Sequence, residues 1–323
     1  MVDRPNKPSA ISPVGSAAAP QPSVDISSDN SRITARLPTG ESVEVLLYGA
    51  TVISWKNGNG AENLWLSEKA VLDGSKAVRG GIPVVFPVFG PPPKDHATSA
   101  LPQHGFARNN RWEYLGKSSS ESAPLSKSGA GDDTVKLDFG LYSSALPEDA
   151  RKKWPYDFGL VYSVTLGREG LQTMMNVRNE GKEPFEFQVL MHTYLKVSDI
   201  SKTTITGLLS APYIDKVLNA TAHTESNHAI SITGEVDRVY HSLKQSTTSV
   251  LEDGKPRYDV VRDNLDDTVL WNPWTEKAAG MGDFYPKDGF KHMVCVEVGA
   301  VNSWTKLDGG ESWEGGQLIK SLL

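Results

Sequence analysis

From about residue 31 onward the chain runs in short stretches that alternate apolar and polar side chains and end at Gly, Asn, Asp or Pro. A strand points successive side chains to opposite faces, so a period of two specifies half-buried strands, whereas an amphipathic helix needs a period near 3.6. Few stretches carry the helical period, and the chain is therefore expected to be all-β. Residues 160–166 and 171–177 flank Gly167-Arg168-Glu169-Gly170, which has the length and composition of a hairpin turn. Along residues 185–197 the alternation puts Phe185, Phe187, Val189, Met191, Leu195 and Val197 on one face, and Gln188, His192, Tyr194 and Lys196 on the other. In Met293-Val294-Cys295-Val296-Glu297-Val298, Glu297 is a lone carboxylate in an apolar strand, and a buried carboxylate needs a partner or a job.

Helical character is confined to Pro147-Glu148-Asp149-Ala150-Arg151-Lys152-Lys153, with Pro and acids early and bases late, as the helix dipole favours. It reads as a surface insertion, and residues 117–132 read as a polar loop. A chain of 323 residues has room for two ordinary domains or one large β domain. It contains no internal repeat and no linker between two composition classes, so one domain over residues 31–323 is the economical reading. Residues 1–30 are rich in Ser, Pro and Ala and are expected to form a disordered tail. A plastid transit peptide is the weaker alternative, because Asp3 and Asp25 are present and Arg is scarce.

Thirty-three Lys and Arg against 39 Asp and Glu give a net charge of −6, with no basic run to follow a phosphate backbone, so nucleic acid is disfavoured as a partner. No stretch approaches the roughly 20 apolar residues that span a bilayer, and no signal architecture opens the chain, so neither membrane nor export is expected. The single cysteine, Cys295, has no partner for an intramolecular disulfide and sits in an apolar run. That suits a buried small hydrophobe in a reducing compartment, and the cytoplasm is the expected location. There is no P-loop, no G-x-G-x-x-G after a strand, no H-E-x-x-H, no C-x-x-C and no G-x-S-x-G. The seven histidines lack metal-ligand spacing, so no cofactor and no metal is expected.

Four segments carry more polar chemistry than core strands require. In Val78-Arg79-Gly80-Gly81-Ile82-Pro83, two glycines can bring backbone N–H groups close to a ligand beside a guanidinium that suits carboxylate or phosphate. A bulge with an exposed Arg79 accounts for it equally well. Gln103-His104-Gly105-Phe106-Ala107-Arg108 packs amide, imidazole and guanidinium around a glycine, although such a loop can also be stabilising itself. The other two are Met191-His192-Thr193-Tyr194 and Cys295-Val296-Glu297. A strand-borne His and a desolvated Glu titrate toward the same range and can serve as acid and base, but either alone reads as structural.

Together these segments resemble the aldose 1-epimerase superfamily, in particular its glucose-6-phosphate 1-epimerase branch. The resemblance runs from about residue 31 to the C-terminus and includes Tyr213-Ile214-Asp215-Lys216, Gly234-Glu235-Val236-Asp237-Arg238 and Trp271-Asn272-Pro273-Trp274. It implies a large two-sheet antiparallel β-sandwich, the galactose mutarotase-like supersandwich, with His192 as general acid and Glu297 as general base. It further implies that Arg79, Gln103, His104, Arg108 and Asp237 bind substrate and that no cofactor is needed; a monomer is the expectation, although the sequence itself does not specify the oligomeric state. Galactose-type members look like Asn-x-His-Gly-Gly where this chain has Gln103-His104-Gly105-Phe106-Ala107-Arg108. The added guanidinium argues for a phosphorylated sugar, because bidentate contacts to phosphate oxygens are strong and selective.

On that reading an ionised Glu297 takes the proton of the C1 hydroxyl and a charged His192 protonates the ring oxygen, with the roles reversed on closure. A non-catalytic sugar-phosphate sensor is the alternative, but it has no need of the His192 and Glu297 pair. A glycoside hydrolase would normally present two carboxylates. A purely structural interaction protein leaves Arg79, Arg108 and Asp237 unexplained.

Overall fold

A computed structural model describes residues 20–118 and 134–322. Its strands begin with β1 (Ser23–Ile26), β2 (Arg32–Arg36), β3 (Ser42–Leu46) and β4 (Thr51–Lys56), which form a four-stranded antiparallel meander. Then come β5 (Val84–Val85), β6 (Glu113–Ser118), β7 (Thr134–Tyr142), β8 (Phe158–Gly167), β9 (Gly170–Asn179), β10 (Phe185–Met191) and β11 (Tyr194–Lys196). The middle of the chain supplies β12 (Thr203–Thr206), β13 (Pro212–Asp215), β14 (Thr221–Thr224), β15 (Ile230–Ser231) and β16 (Val236–Tyr240). It closes with β17 (Thr247–Glu252), β18 (Lys255–Asp263), β19 (Asp267–Asn272), β20 (Met293–Leu307) and β21 (Ser312–Ser321).

Two large sheets carry the fold. One has eight strands in the order β14-β13-β16-β19-β20-β10-β5, with β11 also pairing to β20; the other runs β15-β12-β17-β18-β21-β9-β8-β7-β6. Every ladder between strands is antiparallel, as the alternating pattern requires of sheets with two unlike faces. Val294, Val296 and Val298 of β20 and Phe185, Phe187, Val189 and Met191 of β10 pack into one core with Leu160, Tyr162 and Val164 of β8 and Ile319 of β21. Fully burying one such side chain contributes roughly 1.5–3 kcal/mol, and a one-residue slip would turn the whole set outward, so the register is strongly fixed. The opposite face of the eight-stranded sheet, carrying Leu190, Val239, Val269, Trp271 and Cys295, gathers a second cluster.

The hairpin stands as read, with β8 and β9 closing at the Gly167 and Gly170 pair. The helical stretch is α1 (Glu148–Lys153), a surface turn with no buried residue. Three expectations change. The polar loop begins later than read, because Lys117 and Ser118 end β6; the rest of it lies outside the described residues. Residues 1–19 also lie outside, yet the tail read over residues 1–30 contains β1, which pairs with β2 from Ser23↔Arg36 to Ile26↔Ile33. Composition missed β1 because backbone pairing holds it, its side chains being mostly exposed. Finally, α2 (Trp274–Gly280) is a second helix, too short at seven residues to show a period. Among the described residues no helix is long and apolar enough to cross a membrane.

Candidate active site

The register of the eight-stranded sheet assembles the site floor. One row across four strands reads Tyr194, Cys295, Trp271 and Asp237, all paired in succession. In the adjacent row Glu297 pairs with Val269 and Val269 with Val239. The chain from β10 to β11 leaves the ladder at His192, whose N–H donates to the Pro83 carbonyl, and Thr193, whose N–H donates to the Met191 carbonyl. Both flanking strands keep one register on β20, pairing Met191 with Val298 and Tyr194 with Cys295, so His192 comes opposite Glu297. His192 Nδ1 lies 3.1 Å from Glu297 Oε1, with Glu297 1% and His192 9% exposed. The approach is within ion-pair distance but off the line of a hydrogen bond, and neither His192 Nδ1 nor Glu297 Oε2 has a hydrogen-bond partner. The Tyr194 ring stacks on the imidazole at 4.7 Å and 7° and fixes its plane.

A cavity of about 450 Å³ opens over this floor. All seven residues singled out from the sequence line it: Arg79, Gln103, His104, Arg108, His192, Asp237 and Glu297. Sequence reasoning missed Lys216, Lys277, Trp271, Phe89 and Met281, which line the same cavity. Trp271 was open to detection as an aromatic on the outward alternation of β19. Lys277 stands on α2, which has no sequence signal, and Lys216 follows β13 without a pattern of its own.

Gly105 explains how the Gln103–Arg108 wall forms. Its φ is +69°, and a Cβ there would fall 2.1 Å from the Phe86 carbonyl oxygen, so only glycine lets this loop pass so close to the strand end. The loop does both things its composition allowed. It supports itself, since Gly90 N–H donates to His104 Nδ1 at 3.2 Å and an Arg108 guanidinium N–H donates to the Gln103 carbonyl at 3.2 Å. It also lines the cavity, with Gln103 Nε2 3.4 Å from His104 Nε2 and the Arg108 Nε–H buried without a partner.

Of the two readings left open for the double glycine after Arg79, the structure shows close backbone packing. Gly81 N–H donates to the Trp65 carbonyl, and its φ is +68° with no room for a Cβ beside the Val52 carbonyl. These glycines let neighbouring chain segments pack closely, and neither lines the cavity. Arg79 itself is not a loose surface group: its Nε lies 3.3 Å from Asp283 Oδ1 and one terminal N–H donates to the Tyr194 hydroxyl at 3.3 Å. Across the cavity, Lys216 Nζ sits 3.9 Å from Asp237 Oδ1 and over the Phe89 ring.

Burial dominates the electrostatics. It pushes the Glu297 carboxyl well above the usual range, reinforced by Asp237 and opposed by Lys216 and Arg108. It pushes His192 well below the usual histidine value, reinforced by His104, Arg108 and Arg79. His104 falls to about 3, through burial and then Arg108, Lys216 and Arg79, and is neutral at pH 7. Burial thus opposes the charged starting pair expected from sequence, because it disfavours the charge on Glu297 and on His192 alike. As to metals, His192, Cys295 and Glu297 offer one ligand atom each, all within 4.8 Å of one another.

A family model described as aldose 1-epimerase matches residues 31–320. The chain belongs to the aldose 1-epimerase family. A relative from Cenchrus ciliaris named "Putative glucose-6-phosphate 1-epimerase" is 38% identical over 275 residues, covering 84% of this chain and 79% of the relative. One of the same name from Escherichia coli is 34% identical over 263 residues, covering 81% and 80%. Among solved structures, a "putative mutarotase" from Salmonella typhimurium is similar at a TM-score of 0.76 and 28% identity, covering 95% of this chain and 96% of the other. The expected two-sheet antiparallel fold of this family is the fold observed.

Proposed function

We propose that the chain is an isomerase that interconverts the α and β anomers of a hexose-6-phosphate, glucose-6-phosphate first among them, without a cofactor. The observation that carries this reading is the His192–Glu297 contact at the floor of a cavity ringed by Arg79, Arg108, Lys216 and Lys277. A cavity of about 450 Å³ suits one sugar phosphate, and its four cations suit a dianion. The printed names of the relatives from Cenchrus ciliaris and Escherichia coli support the phosphorylated substrate. A cytoplasmic setting fits a chain whose one cysteine is buried and reduced.

Anomers exchange by ring opening, rotation about C1–C2 and closure on the other carbonyl face. Glu297 takes the C1 hydroxyl proton while His192 gives one to the ring oxygen, and closure returns both. The pair holds one proton throughout: on His192 with the closed ring, on Glu297 with the open aldehyde. The neutral arrangement that burial favours is therefore the one that accompanies the open-chain intermediate. A phosphate held between Arg79 and Arg108 offsets two of the cations that disfavour charge on His192, so the substrate itself helps place the proton for ring opening. Gln103, His104 and Asp237 hold sugar hydroxyls and fix the reacting carbon over the pair.

The test is to add purified protein to pure α-glucose-6-phosphate and follow the β anomer by NMR, with the spontaneous rate subtracted and glucose and galactose as controls. Acceleration confined to the phosphorylated sugar is expected. Binding without acceleration would overturn the reading in favour of a sensor.

A further inference from the structure

We propose that His192, Cys295 and Glu297 form a binding site for a thiophilic divalent cation of the Zn²⁺ or Cd²⁺ type, and that an ion there blocks the site. The binding stands on geometry alone; the block rests on the function proposed above. Cys295 and Glu297 are two residues apart on β20 and share its outward face, and His192 comes opposite Glu297. A ring nitrogen of His192, the Cys295 Sγ and a Glu297 carboxylate oxygen lie within 4.8 Å of one another, and Nδ1 is 3.1 Å from Oε1. A tetrahedral zinc ion with N, O and S ligands at roughly 2.0–2.3 Å holds them about 3.5 Å apart, so a modest contraction suffices.

Two further features point to a ligand. Nδ1 of His192 and Oε2 of Glu297 are buried without a hydrogen-bond partner, an arrangement native structures seldom leave unexplained. The three side chains also supply the donor set of a three-ligand zinc site, with the fourth position open to the cavity. Charge balances as well. A thiolate, a carboxylate and a neutral imidazole around a divalent cation make a neutral cluster, which neither Arg79 nor Arg108 opposes. The thiol and carboxyl protons leave to solvent as the ion binds, and the ion enters over His192 and Glu297, the two members that line the cavity. Burial holds Cys295 as a thiol in the absence of metal, which disfavours an oxidation switch as its role. Because the ion takes the lone pairs that ring opening uses, it inhibits rather than assists.

The experiment is a CdCl₂ titration of the full chain, read by the ultraviolet thiolate-to-cadmium absorption band. The sequence has one cysteine, so the band has one source. The expected result is a saturable band at one ion per chain, and inhibition of anomer exchange by ZnCl₂ that a chelator reverses and MgCl₂ does not reproduce. Cys295→Ala should abolish the band and desensitise the enzyme at least as much as the roughly 10- to 100-fold that losing an outer-shell partner costs a metal site. Absence of the band in the natural chain overturns the proposal, whether or not the protein proves to be an epimerase. Equal zinc sensitivity in Cys295→Ala overturns it too, and Cys295→Ser serves if the alanine variant folds poorly.

Discussion

Nδ1 of His192 stands 3.1 Å from Oε1 of Glu297 because two stretches of one strand path, β10 and β11, hold a single register on β20 while the chain between them turns out of the ladder. The departure frees His192 from strand geometry without moving it from its partner. Unliganded catalytic pairs are often poorly aligned and tighten on substrate binding, so the off-line approach is compatible with proton transfer.

Replacing either member removes one half of that transfer. His192→Asn and Glu297→Gln are each expected to lower kcat for glucose-6-phosphate anomer exchange by roughly 10²- to 10⁴-fold, the usual worth of one acid or base. NMR exchange rates at saturating substrate measure it. Full activity in either variant would remove that residue from the mechanism.

Arg108 lines the cavity it shares with Arg79, and its buried Nε–H has no hydrogen-bond partner. Arg108→Ala should raise KM for glucose-6-phosphate far more than for glucose, since only the former has the group that guanidinium pairs with bidentately. Steady-state kinetics on both sugars decides it, and an equal rise would take Arg108 out of the phosphate subsite.

Glu297 should cost the fold stability. Its folded pKa lies above the unfolded value, so above about pH 4.5 the native state holds a proton that the unfolded chain has lost. Stability is therefore given up as pH rises from there to the folded pKa, at about 1.4 kcal/mol per pH unit for one fully coupled group. Glu297→Gln keeps the shape and cannot ionise, so it should melt higher than the natural chain at pH 8 and close to it at pH 4. Calorimetry at the two pH values checks this, and a variant that melts lower at pH 8 would contradict it.

Glu297 and His192 were legible because the strand runs that carry or lead into them alternate cleanly. Val294, Val296 and Val298 read as core, which leaves Cys295 and Glu297 on the other face, and Phe187, Val189 and Met191 do the same for His192. That His192 meets Glu297 was not legible from alternation, since register between distant strands is fixed by tertiary packing. The resemblance supplied it. Lys216 and Lys277 escaped because a loop and a seven-residue helix leave no period. Strand β1 escaped for a different reason, since composition records side chains whereas β1 is held by its backbone. The two readings of the glycines after Arg79 stayed open because a close approach by protein looks, in sequence, like one by ligand.

His104 offers a further test of the cavity's electrostatics. Burial and the cations Arg108, Lys216 and Arg79 hold it at about 3, against 6.5 for the free group. Between those values the unfolded chain binds a proton that the native state refuses, so stability is intact above pH 6.5 and falls as pH drops toward 3. His104→Asn suits the site locally: asparagine tolerates the left-handed φ of 66°, and its side-chain oxygen can accept from Gly90 N–H as Nδ1 does. Other acid-sensitive residues are the same in both proteins, and the one whose own shift His104 feeds, His192, is eased in the same direction by the substitution, so the difference reports this imidazole and its effect on His192. Urea unfolding at pH 7.5, 6, 5 and 4 should show the variant losing stability less steeply than the natural chain, by up to about 1.4 kcal/mol for each unit below 6.5. A constant offset across the series would mean that His104 takes up its proton in the native state as readily as in the unfolded chain, and that the three cations do not converge on it.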